Sequence, residues 1–198
     1  SNPLAMTMGN SGLKKCNMYD YQVWYNYRDG KRDLNVSLSS QSQFIFDAIK
    51  YSVLYDEKSG ASLIQPYNCS YTWFSTNDFS IGIALNRRKN LRMQSDLRYR
   101  LNKSENMTGT SQTGLRKNKY YAHVVEETLS LSYQYKKATW RLMGGLTYDG
   151  QNCATNSSGN YDAWDIHYGM SVNCYLPWKI QFSGDVNMYS RKGYLLNA

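Results

Sequence analysis

The chain has 198 residues and a mass of 22.9 kDa, enough for one domain or at most two small ones. Its 23 Lys and Arg outnumber its 15 Asp and Glu, which gives a formal net charge of +8. Three prolines and 14 glycines argue against a collagen-like or proline-rich disordered chain, and 19 tyrosines favour β-structure. The longest apolar stretch, Ile81–Leu85, is too short for a transmembrane helix.

The N-terminal residues carry no signal-peptide pattern. The sequence SNPLAM at Ser1–Met6 is similar to a cloning scar. We therefore interpret residues 1–16 as a tag or disordered N-terminal segment and residues 17–198 as a single β-structured domain.

The four cysteines predict neither a zinc site nor a disulfide scaffold. They stand at positions 16, 69, 153 and 174, without a CxxC pair, and the chain has only two histidines. We interpret them as ordinary buried or surface thiols, and we expect no bound metal.

The first predicted strand alternates apolar and polar side chains. Over residues 17–28 the odd positions are apolar or aromatic, whereas most even positions are polar. Successive side chains of a strand point to opposite faces, so this strand has two different faces. Asp29-Gly30 then predicts a tight hairpin turn, and a second strand begins near Arg32.

The second strand changes its pattern part of the way along. Its apolar positions are even through Phe46 and odd from Ile49 onwards. One extra residue would produce this change, so we expect a β-bulge near Asp47-Ala48. A short helix over residues 44–55 is the alternative.

The alternation continues to the end of the chain. Six further strands are predicted over 67–85, 91–102, 125–135, 140–148, 164–176 and 180–188. Short turns are predicted at 29–31, 87–90, 136–137 and 177–178, and long polar loops at 56–66, 103–119 and 149–161. The sequence therefore predicts an all-β fold, an antiparallel up-and-down meander of about eight long strands.

Long strands with alternating apolar and polar side chains, joined alternately by short turns and long loops, are typical of outer-membrane β-barrels. Hydrocarbon satisfies no backbone hydrogen bond, so only helices and closed barrels cross it. Tyr and Trp near the strand ends match interfacial aromatic girdles. In this arrangement both chain ends lie on the extracellular side, so we expect a segment from the middle of a larger barrel. A soluble barrel remains the alternative.

Two stretches resemble a known family. The first has YD at 55–56, SG at 59–60, Pro66 and Asn68, and the second has WD at 164–165, YG at 168–169, Asn173, LPW at 176–178, Asp185 and YSRKGY at 189–194. They resemble the outer membrane protein beta-barrel family, relatives of the barrel of TonB-dependent receptors in Gram-negative bacteria. The resemblance implies part of the wall of a solute-uptake or receptor pore, with a plug domain and further barrel strands as partners. It implies no catalytic residue.

One charged group is a candidate site. Arg92, Arg98 and Arg100 share one face of a predicted strand. If this face lines the lumen of a barrel, these cations favour anionic solutes or pair with carboxylates of a plug. Salt bridges within the lumen, to Asp96 and its neighbours, are the alternative.

Other residues have plainer interpretations. The sequence contains no GxSxG, HExxH, Walker or GxGxxG motif, so we predict no catalytic residue, no cofactor and no enzyme. We interpret Gly144-Gly145 as a packing or bulge site, Asp162 and Asp165 as solvated, and His167 as a lumen or surface residue. The basic turn at 87–89 is expected to face water or lipid headgroups.

Three functions follow from these observations. The first is a segment of a barrel in the cell outer membrane, with outer-membrane lipid as a partner and no nucleic acid. Its unpaired edge strands invite self-association. The second is a soluble secreted lipocalin-like barrel that binds an apolar ligand. The third is a basic β-sheet that binds nucleic acid or acidic glycans.

Overall fold

The computed structural model of the chain describes residues 4–154 and 160–193. The strands are β1 (Ala5–Thr7), β2 (Asn17–Asp29), β3 (Leu34–Tyr55), β4 (Ser62–Ala84), β5 (Leu91–Thr110), β6 (Gly114–Tyr135), β7 (Ala138–Cys153), β8 (Tyr161–Tyr175) and β9 (Gln181–Lys192). A short 3₁₀ turn, Pro177–Lys179, separates the last two. The predicted all-β meander of long strands is confirmed. In the part of the chain that is described, no helix is long and apolar enough to cross a membrane.

The long strands form one sheet in chain order. From β2 to β9, each strand pairs antiparallel with the next. We call the end of the sheet with connections 30–33, 85–90, 136–137 and 176–180 the lower end, and the end with connections 56–61, 111–113 and 154–160 the upper end. Within residues 4–154 and 160–193, β2 and β9 do not pair with each other, so the sheet is open.

The predicted long loops are mostly strand. β5 and β6 continue through 103–119 and leave only the turn 111–113, where Gly114 has φ +67°. Similarly, β4 begins at Ser62, and β7 extends to Cys153. Residues 155–159 of the third predicted loop lie outside the described residues. The prediction of long loops was wrong because segments with polar residues on both faces show no hydrophobic alternation, which is the signal used to predict strands. The backbones of such segments pair as well as any others.

β3 carries no bulge. Phe46 pairs with Tyr71 and Ala48 pairs with Cys69, so the register is the same on both sides of Asp47 and neither strand gains a residue. The bulge predicted at Asp47-Ala48 is therefore wrong, and so is the helix alternative. Asp47 instead has φ +52°, a left-handed conformation that Asp adopts more easily than most residues.

The β3–β4 hairpin turns over at this point. Below Asp47, the edge of β3 that does not pair with β4 pairs with β2. Above it, residues 53–55 of β3 pair parallel with 108–110 of β5, and residues 62–64 of β4 pair with β1. The turned half presents even β3 positions to β5 and β6: Lys50 Nζ donates to the Glu105 carbonyl of β5 and lies 5.8 Å from the centroid of the Tyr120 ring of β6. This reversal is the structural counterpart of the change from even to odd apolar positions.

A small core lies under the turned half of the hairpin. Ala48, Tyr67 and Cys69 are buried there, with Ile45 and Met107 packed against them. All four cysteines lie within the described ranges and are free thiols, and Cys69 is fully buried. This cluster is far smaller than the core of a soluble domain of similar length.

Polar contacts attach the turned half to β5. The Lys50 ammonium donates to the Glu105 backbone oxygen at 2.9 Å and to the Ser104 hydroxyl. The Glu105 carboxylate, almost fully buried, accepts from the Ser70 amide at 2.7 Å, and Lys117 Nζ lies 3.9 Å away. These hydrogen bonds compensate for the burial of the carboxylate.

Part of the N-terminal segment follows β4. The Met8 amide donates to the Ile64 carbonyl at 2.9 Å. Lys14 and Asn68 exchange two hydrogen bonds, of 2.7 and 3.1 Å. The assignment of residues 1–16 as a tag or disordered segment stays a prediction.

Candidate functional site

The register sorts the side chains of the sheet onto two unlike faces. Arg98 pairs with Asp78 and Glu126, whereas its neighbour Leu97 pairs with Phe79 on the other side of the sheet. We call the face with Arg98 the polar face and the face with Leu97 the apolar face. Because the pairing runs unbroken from strand to strand, this division extends across the sheet below Asp47.

Four of the polar-face side chains form a charged network. Arg98 Nε lies 2.6 Å from an Asp78 carboxylate oxygen, and Arg98 Nη1 lies 3.8 Å from Glu126. Arg100 forms an ion pair with the other oxygen of Glu126. One carboxylate therefore serves two arginines from the neighbouring strand.

The third predicted arginine is also paired. Arg92 Nη1 lies 2.8 Å from Asp33, which belongs to the turn between β2 and β3. Asp96, the predicted partner, instead accepts a hydrogen bond from Gln94 at 2.9 Å. Arg92, Arg98 and Arg100 thus share one face, but carboxylates of neighbouring strands and of the β2–β3 turn balance them. Whether this face lines a lumen stays a prediction.

Gly145 and His167 pack against each other on the same face. A Cβ at Gly145 would lie 2.1 Å from the His167 ring, so the ring occupies the space over the glycine. The pairing of Gly145 with Thr128 continues the register, which supports packing rather than a bulge. The His167 ring also stacks on Tyr189 at 6.2 Å between centroids. The sequence indicated the glycine but not its partner.

The two other carboxylates considered from the sequence have partners. Asp165 forms an ion pair with Arg191 at 3.1 Å. Asp162 accepts a hydrogen bond from the Tyr148 hydroxyl at 2.6 Å. Across the described ranges, no group of three or more His, Cys, Asp or Glu side chains could hold a metal ion.

None of the described residues covers the apolar face. Its side chains include Leu38, Phe79, Leu97, Leu129, Leu142, Leu146, Ile166, Met170, Val186 and Met188, which are all exposed. Leu142 and Val186, for example, are 52% and 57% exposed. The chain has 14,220 Å² of accessible surface, against about 9,600 Å² expected for a compact monomer of this mass. A surface excess of this size indicates a sheet that lacks its second layer.

Aromatic residues border the aliphatic part of this face. Toward the lower end lie Tyr27, Tyr133, Tyr135 and Trp140, and toward the upper end lie Tyr19, Phe46, Trp73, Tyr99, Tyr148 and Trp164. On β7, Trp140 and Tyr148 are about 27 Å apart along the strand, at ~3.4 Å per residue. With the usual barrel tilt this gives about 21 Å, close to the ~25 Å apolar band of outer-membrane barrels.

Polar residues interrupt the apolar face on β6, where Glu127 pairs with Leu97 and Leu146, and on β3 and β4. Ser40 donates to Asn77 at 2.7 Å, and Ser42 donates to Ser75 at 2.7 Å. The Asn77 amide also donates to Ser75 at 3.0 Å. The members of this β3–β4 cluster therefore bond to one another, as polar groups away from water must. The period-two pattern did not identify this cluster, because cross-strand pairing is not visible in a single sequence.

The last turn contains the LPW motif of the sequence resemblance. Trp178 has φ +62° and is 88% exposed at the lower end of the sheet. Tyr194 of the YSRKGY motif lies outside the described residues.

No family model matches the chain, and no curated protein matches it. The resemblance to the outer membrane protein beta-barrel family stays a prediction.

Proposed function

We propose that this chain forms part of the wall of an outer-membrane β-barrel, related to TonB-dependent receptors and part of a solute-uptake or receptor pore. The observation that carries the proposal is the exposed apolar face, which is mainly aliphatic in the middle, with Tyr168 and Glu127 as exceptions, and aromatic at both borders. Lipid acyl chains would cover the aliphatic band, and headgroups would surround the aromatic rings.

The backbone pairing fits this environment. From β2 to β9, each interior strand pairs on both sides, which satisfies the backbone groups that hydrocarbon cannot. The polar face, with its ion pairs, would then face the water-filled interior. There it would meet solutes or a plug domain, and Arg92, Arg98 and Arg100 would contribute balanced charge rather than an excess of cations.

The two edges require further strands. Within the described residues, the outer edges of β2 and β9 are unpaired. Hydrocarbon would leave their amides and carbonyls without partners, so remaining barrel strands or a second copy of the chain must pair with them in the membrane. This proposal places no nucleic acid and no catalysis at the sheet.

Folding with and without detergent tests the proposal. Circular dichroism, size-exclusion mass and gel migration of unheated and boiled samples are measured in plain buffer and in micelles. The proposal predicts β-structure that requires micelles and an unheated band that migrates faster than the boiled one.

The same experiment separates the other functions. A compact, cooperative monomer in plain buffer would contradict the proposal and favour a soluble barrel with the apolar face inside. A soluble protein that binds nucleic acid or acidic glycans with a steep salt dependence would favour the third function.

A further inference from the structure

A cleft at the lower end lies between the β2–β3 turn and the β4–β5 turn. Its volume is about 370 Å³. Four basic residues line it: Lys31, Arg32, Arg87 and Lys89. The rest of the lining consists of Ile83 and Ala84 at the end of β4 and of Leu85 and Asn86 in the turn that follows. The two turns that form it are linked, because Lys89 Nζ donates to the Gly30 carbonyl at 2.7 Å. Residues distant in sequence thus build a single site.

The charge of this cleft is only partly balanced: Arg32 forms a long ion pair with Asp29, whereas Lys31, Arg87 and Lys89 pair with no carboxylate among the described residues. No carboxylate among the described residues lines it. Asp29 accepts from the Lys31 amide and lies 3.9 Å from Arg32, whose side chain is 78% exposed. Asp33, the other acid of the turn, pairs with Arg92 on the polar face. The cleft therefore attracts an anion, unlike the paired arginines of the polar face.

One wall of the cleft is apolar. Ile83 belongs to the apolar face, and Leu85, two positions on, is 48% exposed. The cleft therefore opens at the border of the aliphatic band. A free phosphate ion would bind the cations but would not contact this apolar wall. A phospholipid would bind the cations with its headgroup and contact the wall with its acyl chain.

We propose that this cleft binds the phosphate of an anionic phospholipid, whose acyl chain follows Ile83 and Leu85 along the apolar face. The proposal rests on the membrane location given under the proposed function. It adds a specific lipid partner and assigns Lys31 and Arg87 to headgroup binding.

The test measures lipid binding to the full chain folded in dodecyl maltoside micelles. Native mass spectrometry gives the affinities for dioleoylphosphatidylglycerol and dioleoylphosphatidylcholine. The cleft variant is Lys31→Gln/Arg87→Gln. The matched control, Lys136→Gln/Lys137→Gln, removes two charges at the same end but outside the cleft. A charge-preserving variant, Lys31→Arg/Arg87→Lys, checks that charge is responsible.

A cation near an anionic surface contributes about a fivefold change in affinity. We therefore expect the cleft variant to lose about 25-fold in affinity for phosphatidylglycerol. The control should change less than twofold and the charge-preserving variant less than threefold, while phosphatidylcholine binding stays weak throughout. Inorganic phosphate at 10 mM should not displace the lipid.

Three results would overturn the inference. An equal loss in the cleft and control variants would show general surface attraction, and displacement by inorganic phosphate would show a site for a free anion. Equal binding of both lipids would show that the headgroup charge is not recognised. If the wild-type chain gains no β-structure in micelles before lipid is added, the proposed function itself fails, and this inference fails with it.

Discussion

Replacing Leu142 by Arg tests which environment the apolar face has. Leu142 lies in the aliphatic band, paired with Leu131 on β6 and Met170 on β8. It is 52% exposed, so in water the substitution should change the free energy of unfolding by less than about 0.5 kcal/mol. On a lipid-facing barrel surface, Arg costs about 2–4 kcal/mol at the midplane and less toward the interfaces.

The position of Leu142 sets the expected magnitude. It lies about 5 Å from the middle of the band, which is near Gly144, at ~3.4 Å per residue along a tilted strand. We therefore expect Leu142→Arg to lower the free energy of unfolding by about 2 kcal/mol in lipid. The adjacent Met143 lies on the polar face, opposite Ser130 and Gly169, so Met143→Arg should cost less than about 0.5 kcal/mol.

Urea titration in phospholipid vesicles, followed by tryptophan fluorescence, measures both variants against the wild type. Equal free energies for the two variants would refute the assignment of faces. A large loss for Leu142→Arg in detergent-free buffer, with a compact monomer, would show that the face is a protein core instead.

Three smaller predictions concern other contacts. Glu126→Gln removes the carboxylate that pairs with both Arg98 and Arg100, and because these pairs are partly exposed, the free energy of unfolding measured by urea titration should fall by no more than about 1 kcal/mol; a loss above about 2 kcal/mol would contradict this. Gly145→Ala should cost about 1–3 kcal/mol, most of it recovered in the double variant with His167→Ala, and additive losses would show no contact. Burial, with the charges of neighbouring groups, raises the pKa of Tyr67 to about 12. The stability that the neutral Tyr67 phenol contributes is therefore present below about pH 10 and lost as the pH rises through about 12. An NMR titration, assigned with Tyr67→Phe, would refute this if the phenol ionised near pH 10.

The strands and their two faces were predictable from the sequence. Over 91–102 the arginines alternate with Leu and Tyr, and a period of two is a direct consequence of strand geometry. The paired register of the structure places Arg92, Arg98 and Arg100 on one face, as the alternation predicts. Local pattern suffices here because the environment differs between the two faces.

The partners of these residues were not predictable. Asp78 and Glu126 reach Arg98 from other strands, so their proximity depends on register rather than on spacing in the sequence. The reversal of the β3–β4 hairpin was also missed. The change of parity near Asp47 indicated an irregularity, but a single sequence does not distinguish an inserted residue from a hairpin that turns over.

A nitroxide scan along β7, from Ala138 to Asp149, in phospholipid vesicles shows which face of the sheet contacts lipid. Single cysteines are introduced in a cysteine-free background and spin-labelled, and the collision rates with oxygen and with a water-soluble nickel complex are measured. A lipid-facing apolar surface predicts a period of two, with even positions such as 142 and 146 accessible to oxygen and odd positions such as 143 and 147 accessible to nickel. An aperiodic profile, or oxygen access at the odd positions, would contradict a lipid-facing apolar surface.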